Sequence, residues 1–291
     1  MKGNKTESLY GYLFITPQIV GLTIFSIIPI ISVFYLSFCQ WDAVSDPIFV
    51  GVQNYIEEIK DPNFSKAALN TLLYSLIYIP GNIIIALLLA VAIKNIKGKT
   101  AYRLCYFLPA VTGSVAMSMI WLWILEPNAG IMNYFLSIFG IEKLNLLGNM
   151  ATVIPTIGCI AVWYNVGYNV VIYIAGLEGI PGVYYEAAMI DGANPVTRFF
   201  KITLPMMSPT IFFTTIMTTI ASFKVFDQVF VMTNGGPSKA SYMYVLHIYD
   251  YGFKQFKMGQ SSTAAVIFFV LLLILTIIQN IMSKRWVNYE T

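Results

Sequence analysis

The sequence predicts an all-α, polytopic membrane protein with about six transmembrane helices. Apolar residues make up 57% of the 291 positions, against about 45–50% in soluble domains. Charged residues are 11%, against about 25% in soluble chains. Mean hydropathy is +0.71, and the apolar residues gather into runs near the roughly 20 residues that cross a bilayer as a helix.

The first run, 13–38, is too long for the roughly 7–15-residue core of a signal peptide and lacks a small-residue cleavage site, so it reads as an uncleaved span. The next three runs are 71–93, 104–125 and 151–175. The fifth, 209–226, ends where Lys224 and Asp227 appear, and the sixth is 262–282. An even number of crossings places both termini on one side. Pro17, Pro29, Pro80, Pro109 and Pro155 fall within these runs. A proline there serves either as a packing kink or as a hinge, and the sequence leaves both open. Asn234-Gly235-Gly236-Pro237 marks a turn after the fifth run. The aromatics that follow, Tyr242, Tyr244, Tyr249, Tyr251 and Phe253, read as an interfacial belt.

Lysine and arginine in short loops orient such a chain. Lys2, Lys5, Lys94, Lys97, Lys99, Arg103, Arg198, Lys201, Lys284 and Arg285 fall on one face; Lys60, Lys66, Lys143, Lys239, Lys254 and Lys257 fall on the other. The first face is therefore expected to be cytoplasmic. The second carries Asp42, Asp46, Glu57, Glu58, Asp61, Glu126 and Glu142. The organisation expected is an N-terminal tail, first span and external loop (1–66), a five-helix core (67–283) and a cytoplasmic tail (284–291).

Composition excludes several chemistries. No basic stripe suits a nucleic acid. Cys39, Cys105 and Cys159 lie in or beside apolar runs, without metal-ligand spacing. The single histidine, His247, leaves no catalytic or metal cluster, so catalytic residues and metal ligands are both expected to be none. The spans lack the mid-membrane carboxylates on which ion-coupled carriers depend. No G-x-x-x-x-G-K-[ST] run is present, so a nucleotide site must belong to another chain.

Between the fourth and fifth runs lies a polar island. Pro181-Gly182 breaks the preceding helix. Tyr184 to Ile190 reads as a short helix carrying Glu186, and Gly192 stops it. Pro195 suits the first turn of a second short helix bearing Arg198 and Lys201. Ala187, Ala188, Gly192 and Ala193 keep the tip small enough for another protein to approach. The bland alternative is a solvated carboxylate at Glu186 paired with Arg198 or Lys201.

The pattern Glu186-Ala187-Ala188, Asp191-Gly192-Ala193 and Ile202-Thr203-Leu204-Pro205 resembles the EAA loop of ABC importer permeases, most closely the maltose- and multiple-sugar-type branch. Asn70-Thr71, Phe107-Leu108-Pro109, Phe226-Asp227 and Met232-Thr233-Asn234-Gly235-Gly236-Pro237 match further family elements. The resemblance implies a type I permease fold in a bacterial cell membrane. It implies a coupling loop at about 178–206, in which Glu186, Ala187, Ala188, Asp191, Gly192, Ala193, Leu204 and Pro205 meet a groove of a cytoplasmic ATPase. Its implied partners are a second homologous permease, two ATPase copies holding ATP and Mg, and an extracytoplasmic solute-binding protein; the outer acidic segment between Asp42 and Lys66 reads either as a docking surface for that protein or as a solvated loop.

A sugar path through such a protein needs hydrogen-bonding groups beside aromatic rings. Asn165, Tyr168 and Asn169 share a helix face, and Thr218, Ser222 and Phe226 lie on the fifth span. By the resemblance, Asn165, Tyr168, Thr218, Ser222 and Phe226 are expected near the solute, with helix–helix hydrogen bonding as their alternative use. The alternative functions are an ion-coupled secondary carrier and an importer of a polyol or glycerol phosphate; an intramembrane enzyme lacks a catalytic cluster, and a structural or assembly protein leaves the EAA loop unexplained.

Overall fold

A computed structural model describes residues 5–94, 96 and 98–287, with backbone alone at 5–9, 99, 100 and 103. Lys2, Lys97 and the end of the expected cytoplasmic tail lie outside the described residues. In chain order the elements are α1 (Lys5–Leu22), a π turn, α2 (Ile28–Leu36), strands β1 (Cys39–Gln40) and β2 (Ile48–Phe49), α3 (Gln53–Lys60), α4 (Pro62–Ile93), α5 (Lys99–Val111), α6 (Ser114–Ile124), α7 (Ile131–Ile138), α8 (Val153–Glu178), α9 (Gly182–Ile190), α10 (Pro195–Arg198), a second π turn, α11 (Leu204–Met206), α12 (Ser208–Phe223), α13 (Asp227–Met232), α14 (Tyr244–Tyr249), a third π turn and α15 (Met258–Ser283). Among the described residues the fold is all-α apart from a two-residue antiparallel pairing of Cys39 with Phe49 and Gln40 with Ile48.

Among the described residues, five stretches are long and apolar enough to cross a membrane: Tyr10–Leu36, Pro62–Ile93, Val153–Glu178, Ser208–Met232 and Met258–Ser283. A sixth arises if α5 and α6 count as one. The sequence predicts one run over 104–125; the structure instead bends it by 103° between Val111 and Ser114. Thr112 is extended (φ −72°, ψ 149°) and so is Gly113 (φ −62°, ψ 135°). Pro109, which has no N–H to donate, sits in the last turn of α5 and favours a stop nearby. The second span is longer than the apolar run. It begins at Pro62 because a proline suits a helix's first turn, although Asn63, Ser65 and Lys66 are polar.

The chain divides into two compact units, Met1–Asp61 with Ile248–Val270, and Pro62–His247 with Leu271–Thr291. In the first, Asn54 Nδ2 donates to the carbonyls of Ser37 (3.1 Å) and Cys39 (2.8 Å), and Thr263 Oγ1 donates to Ser37 O at 2.9 Å. These side chains satisfy carbonyls where α2 ends. Glu58, expected on a solvated acidic face, is 2% exposed.

In the second unit α8 is the central helix, buried against α4, α5 and α12. One apolar cluster joins Ala86, Ala90 and Ile93 of α4 to Val170, Tyr173 and Leu177 of α8. Small residues permit these close approaches, as is usual between membrane helices. A Cβ at Gly167 would lie 1.9 Å from the carbonyl oxygen of Tyr106, so only glycine lets α5 lie on α8 there. Tyr242 and Tyr244 are not in an exposed belt; both are buried, with edge-to-face contacts to the fully buried ring of His247. Asn70 Nδ2, donating to the carbonyls of Lys239 (2.9 Å) and Tyr242 (3.0 Å), ties α4 to that segment.

Candidate functional site

The polar island folds as the sequence predicts, as two short helices around a tight reversal. Helix α9 ends in a Schellman motif: Gly192 N–H donates to Met189 O (3.1 Å) and Ala193 N–H to Ala188 O (2.9 Å). Gly192 has φ +75°, a left-handed conformation that a side chain would penalise. Asn194 then caps α10, its Oδ1 accepting from Thr197 N–H at 2.8 Å, and Pro195 takes the first helical position. A π turn over Phe199–Thr203 returns the chain to Leu204-Pro205 and the start of α12.

One side of this loop is anchored and the other is open. Tyr185 Oη and Thr203 Oγ1 are hydrogen-bonded at 2.9 Å, joining the outgoing arm to the returning one. Tyr185, Phe199, Leu204 and Met206 pack against the cluster formed by α4, α8 and α12. Lys94, just past the end of α4, donates to Leu177 O on α8 (3.0 Å), and its ammonium lies 5.2 Å from the centre of the Tyr185 ring. Opposite, Glu186, Ala187, Asp191 and Gly192 are exposed, while Ala188, Ala193, Leu204 and Pro205 are half-buried. Ile190 is 87% exposed and Val183 62%, an apolar surface within a polar loop. Among the described residues Glu186 has no ion pair with Arg198 or Lys201.

The five solute-path candidates separate. Asn165 and Phe226 line one cleft of about 200 Å³ together with Tyr74, Tyr78, Lys224 and Asp227. Thr218 and Ser222 are buried in helix packing. Asn169 Nδ2 donates to Asn82 Oδ1 (2.7 Å) and to Thr218 Oγ1 (3.1 Å), linking α8 to α4 and α12, while Ser222 Oγ donates to Thr219 O (2.7 Å). Tyr168 points away from the cleft: it is 61% exposed and stacked on Phe107, with ring centres 6.3 Å apart.

The break in the third span forms one edge of the cleft. Tyr164 Oη donates to Thr112 O at 2.6 Å, and Ser114 Oγ donates to Asp227 Oδ2. Sequence reasoning treats Lys224 and Asp227 as marks of a span's end, and Asp227 also as part of a family element, but places neither in a solute path. Their spacing of three residues around Phe226, where a membrane helix closes, is the signal that could have placed them in a cleft. Tyr185 and Lys94 are anchors that the sequence reading does not single out.

The match to the family of binding-protein-dependent transport system inner membrane components covers residues 82–288. The chain is 36% identical to the probable ABC transporter permease protein YesP of Bacillus subtilis, over 99% of this chain and 94% of that one. It is 33% identical to the sn-glycerol-3-phosphate transport system permease protein UgpA of Brucella abortus, covering 98% of each. It is 30% identical to the multiple sugar-binding transport system permease protein MsmF of Streptococcus mutans, over 95% of this chain and 96% of that one. A crystal structure of a bacterial alginate ABC transporter, in complex with alginate pentasaccharide-bound periplasmic protein, matches with a TM-score of 0.87 at 22% identity over 98% of each chain. These features define a multi-pass transport permease of a binding-protein-dependent system. The chain belongs to the binding-protein-dependent transport system inner membrane component family.

Proposed function

We propose that this chain is a permease subunit of an ATP-driven ABC importer of a sugar, paired with a second homologous permease. Two cytoplasmic ATPase copies dock on the loop from α9 to α11, and an extracytoplasmic binding protein delivers the solute. Both termini and the loop face the cytoplasm. The single observation that carries the reading is the two-sided loop. Its inner side is fastened to α4, α8 and α12 through Tyr185, Thr203 and Lys94, while Glu186 and Ile190 stand open for a partner. A load applied to the open side therefore reaches the spans through fixed contacts rather than through slack chain. The MsmF relative supports a sugar and the UgpA relative supports glycerol phosphate. The sugar reading is preferred because the amide of Asn165 and the ring of Phe226 line the same cleft.

The test is purification of the chain from its native membrane in mild detergent, followed by an ATPase assay with binding protein and candidate sugars. An ATPase is expected to co-purify, with turnover that rises when sugar-loaded binding protein is added. Recovery of this chain without an ATPase in several detergents would return the ion-coupled carrier to the front.

A further inference from the structure

The cleft beside α12 contains groups that the solute-path residues above do not include. Lys224, at the C-terminal end of α12, is exposed and among the described residues has neither ion pair nor hydrogen-bond partner for its ammonium. Asp227 gives one carboxylate oxygen to Ser114 and keeps the other. Gln228 lines the same cleft, is 6% exposed, and its amide oxygen finds no donor among the described residues. A buried acceptor without a donor is costly, so such atoms in native structures ask for an explanation. Rotation about the terminal torsion of a glutamine, which is broad, turns the amide toward an arriving hydroxyl. Phe226 is half-buried against the same space and stacks on Phe230 with ring centres 5.2 Å apart.

We propose that Lys224, Asp227 and Gln228 form the polar wall of a solute subsite that binds the hydroxyls of one neutral sugar ring, with Phe226 as its apolar floor. This rests on the importer reading above and names the chemistry of its cleft. An ammonium, a carboxylate and an amide together donate to and accept from adjacent hydroxyls, each of which does both. The fixed charges of Lys224 and Asp227 cancel. A phosphate dianion there would gain the ammonium but face the carboxylate, so the set favours a neutral polyhydroxylated ring over glycerol phosphate. At about 200 Å³ the cleft is smaller than the roughly 300–1,000 Å³ of pockets for drug-sized ligands. It therefore holds one ring, with the rest of a larger sugar lying outside.

The complex recovered from the membrane would be reconstituted in proteoliposomes with its binding protein. Glycerol 3-phosphate, maltose, trehalose, raffinose and cellobiose are the probes, and uptake of the best sugar is compared with that of its monodeoxy analogues. In the unaltered complex, one or more deoxy analogues are expected to raise KM about three- to tenfold, the range of a single hydrogen bond between uncharged groups. Gln228→Leu and Lys224→Met should each raise KM for the parent sugar by a similar factor. They should also erase the penalty for a particular deoxy analogue, which a loss of folding alone would not do. Sugar uptake with parent KM and parent analogue penalties in both variants overturns this inference and leaves the importer reading intact. Uptake of glycerol 3-phosphate but none of the sugars overturns the inference together with the sugar reading. Absence of an ATPase from the complex overturns the importer reading itself.

Discussion

Tyr185 and Thr203, 18 positions apart, share a hydrogen bond of 2.9 Å that closes the loop between α8 and α12 into one body. The tyrosine immediately precedes the exposed Glu186, so its ring fixes the direction in which that carboxylate stands. Tyr185→Phe keeps the ring's packing and removes only the hydroxyl, a loss of about 0.5–1.5 kcal/mol. Membrane insertion and ATPase binding should persist, while the sugar moved per ATP consumed falls. Parallel uptake and phosphate-release assays on one preparation check this; an unchanged ratio would show that the clasp carries no load.

Glu186→Lys reverses the charge at the exposed face without touching the anchored one. Uptake should be lost and the chain should still reach the membrane at parent abundance. Immunoblots of membrane fractions beside uptake assays decide the matter, and undiminished uptake would remove Glu186 from the docking surface.

Gly167→Ala introduces a Cβ 1.9 Å from the Tyr106 carbonyl, far inside contact distance. Overpacking of this kind costs about 1–3 kcal/mol, against the roughly 1 kcal/mol that alanine gains over glycine in a helix. The clash should win, lowering the unfolding midpoint of the purified chain in detergent by a few degrees. A raised midpoint would mean that α5 moves away from α8 freely.

Asn169→Leu leaves Asn82 and Thr218 without their shared donor. Interhelical hydrogen bonds in membranes contribute about 0.6–2 kcal/mol. Replacing Asn82 by Leu as well should recover part of the loss, because the orphaned acceptor disappears. Thermal midpoints of the two single variants and the double variant test this coupling.

Asp42 is held near a pKa of about 2 by the Ser45 hydroxyl and then the backbone N–H groups of Ser45 and Val44. A lowered carboxylate pKa stabilises its turn above the unfolded value of 3.8, and that contribution is lost as pH falls through about 2. The turn should therefore persist at pH 4 and open only near pH 2. A Ser45→Ala variant should titrate at higher pH in an NMR measurement of the Asp42 side chain.

The spans and the two short helices between α8 and α12 were legible for specific reasons. Long apolar runs have few alternatives in water, and Pro181, Gly192 and Pro195 punctuate the loop by backbone chemistry alone. The bend at Thr112-Gly113 was hidden, because the two helices on either side of it are together apolar enough to read as one span. Burial of Glu58 and His247 was hidden for the converse reason: composition marks them as surface residues, and only tertiary contacts bring them inside. Of the solute-path residues, a helical wheel groups Asn165 with Tyr168, yet the structure separates them. The face of α8 is divided between the cleft and the Phe107 ring, which belongs to a segment whose course depends on the bend.

The bond from Lys94 to Leu177 O settles a question of parity. It brings the C-terminal end of α4 level with the C-terminal end of α8, so the two helices point the same way. A chain can thread two parallel crossings only by coming back once between them. The intervening return must be made by α5, α6 and the residues that follow, however sharply they turn. The broken pair, with the residues that follow it up to α8, thus makes an odd number of crossings in the winding of the chain.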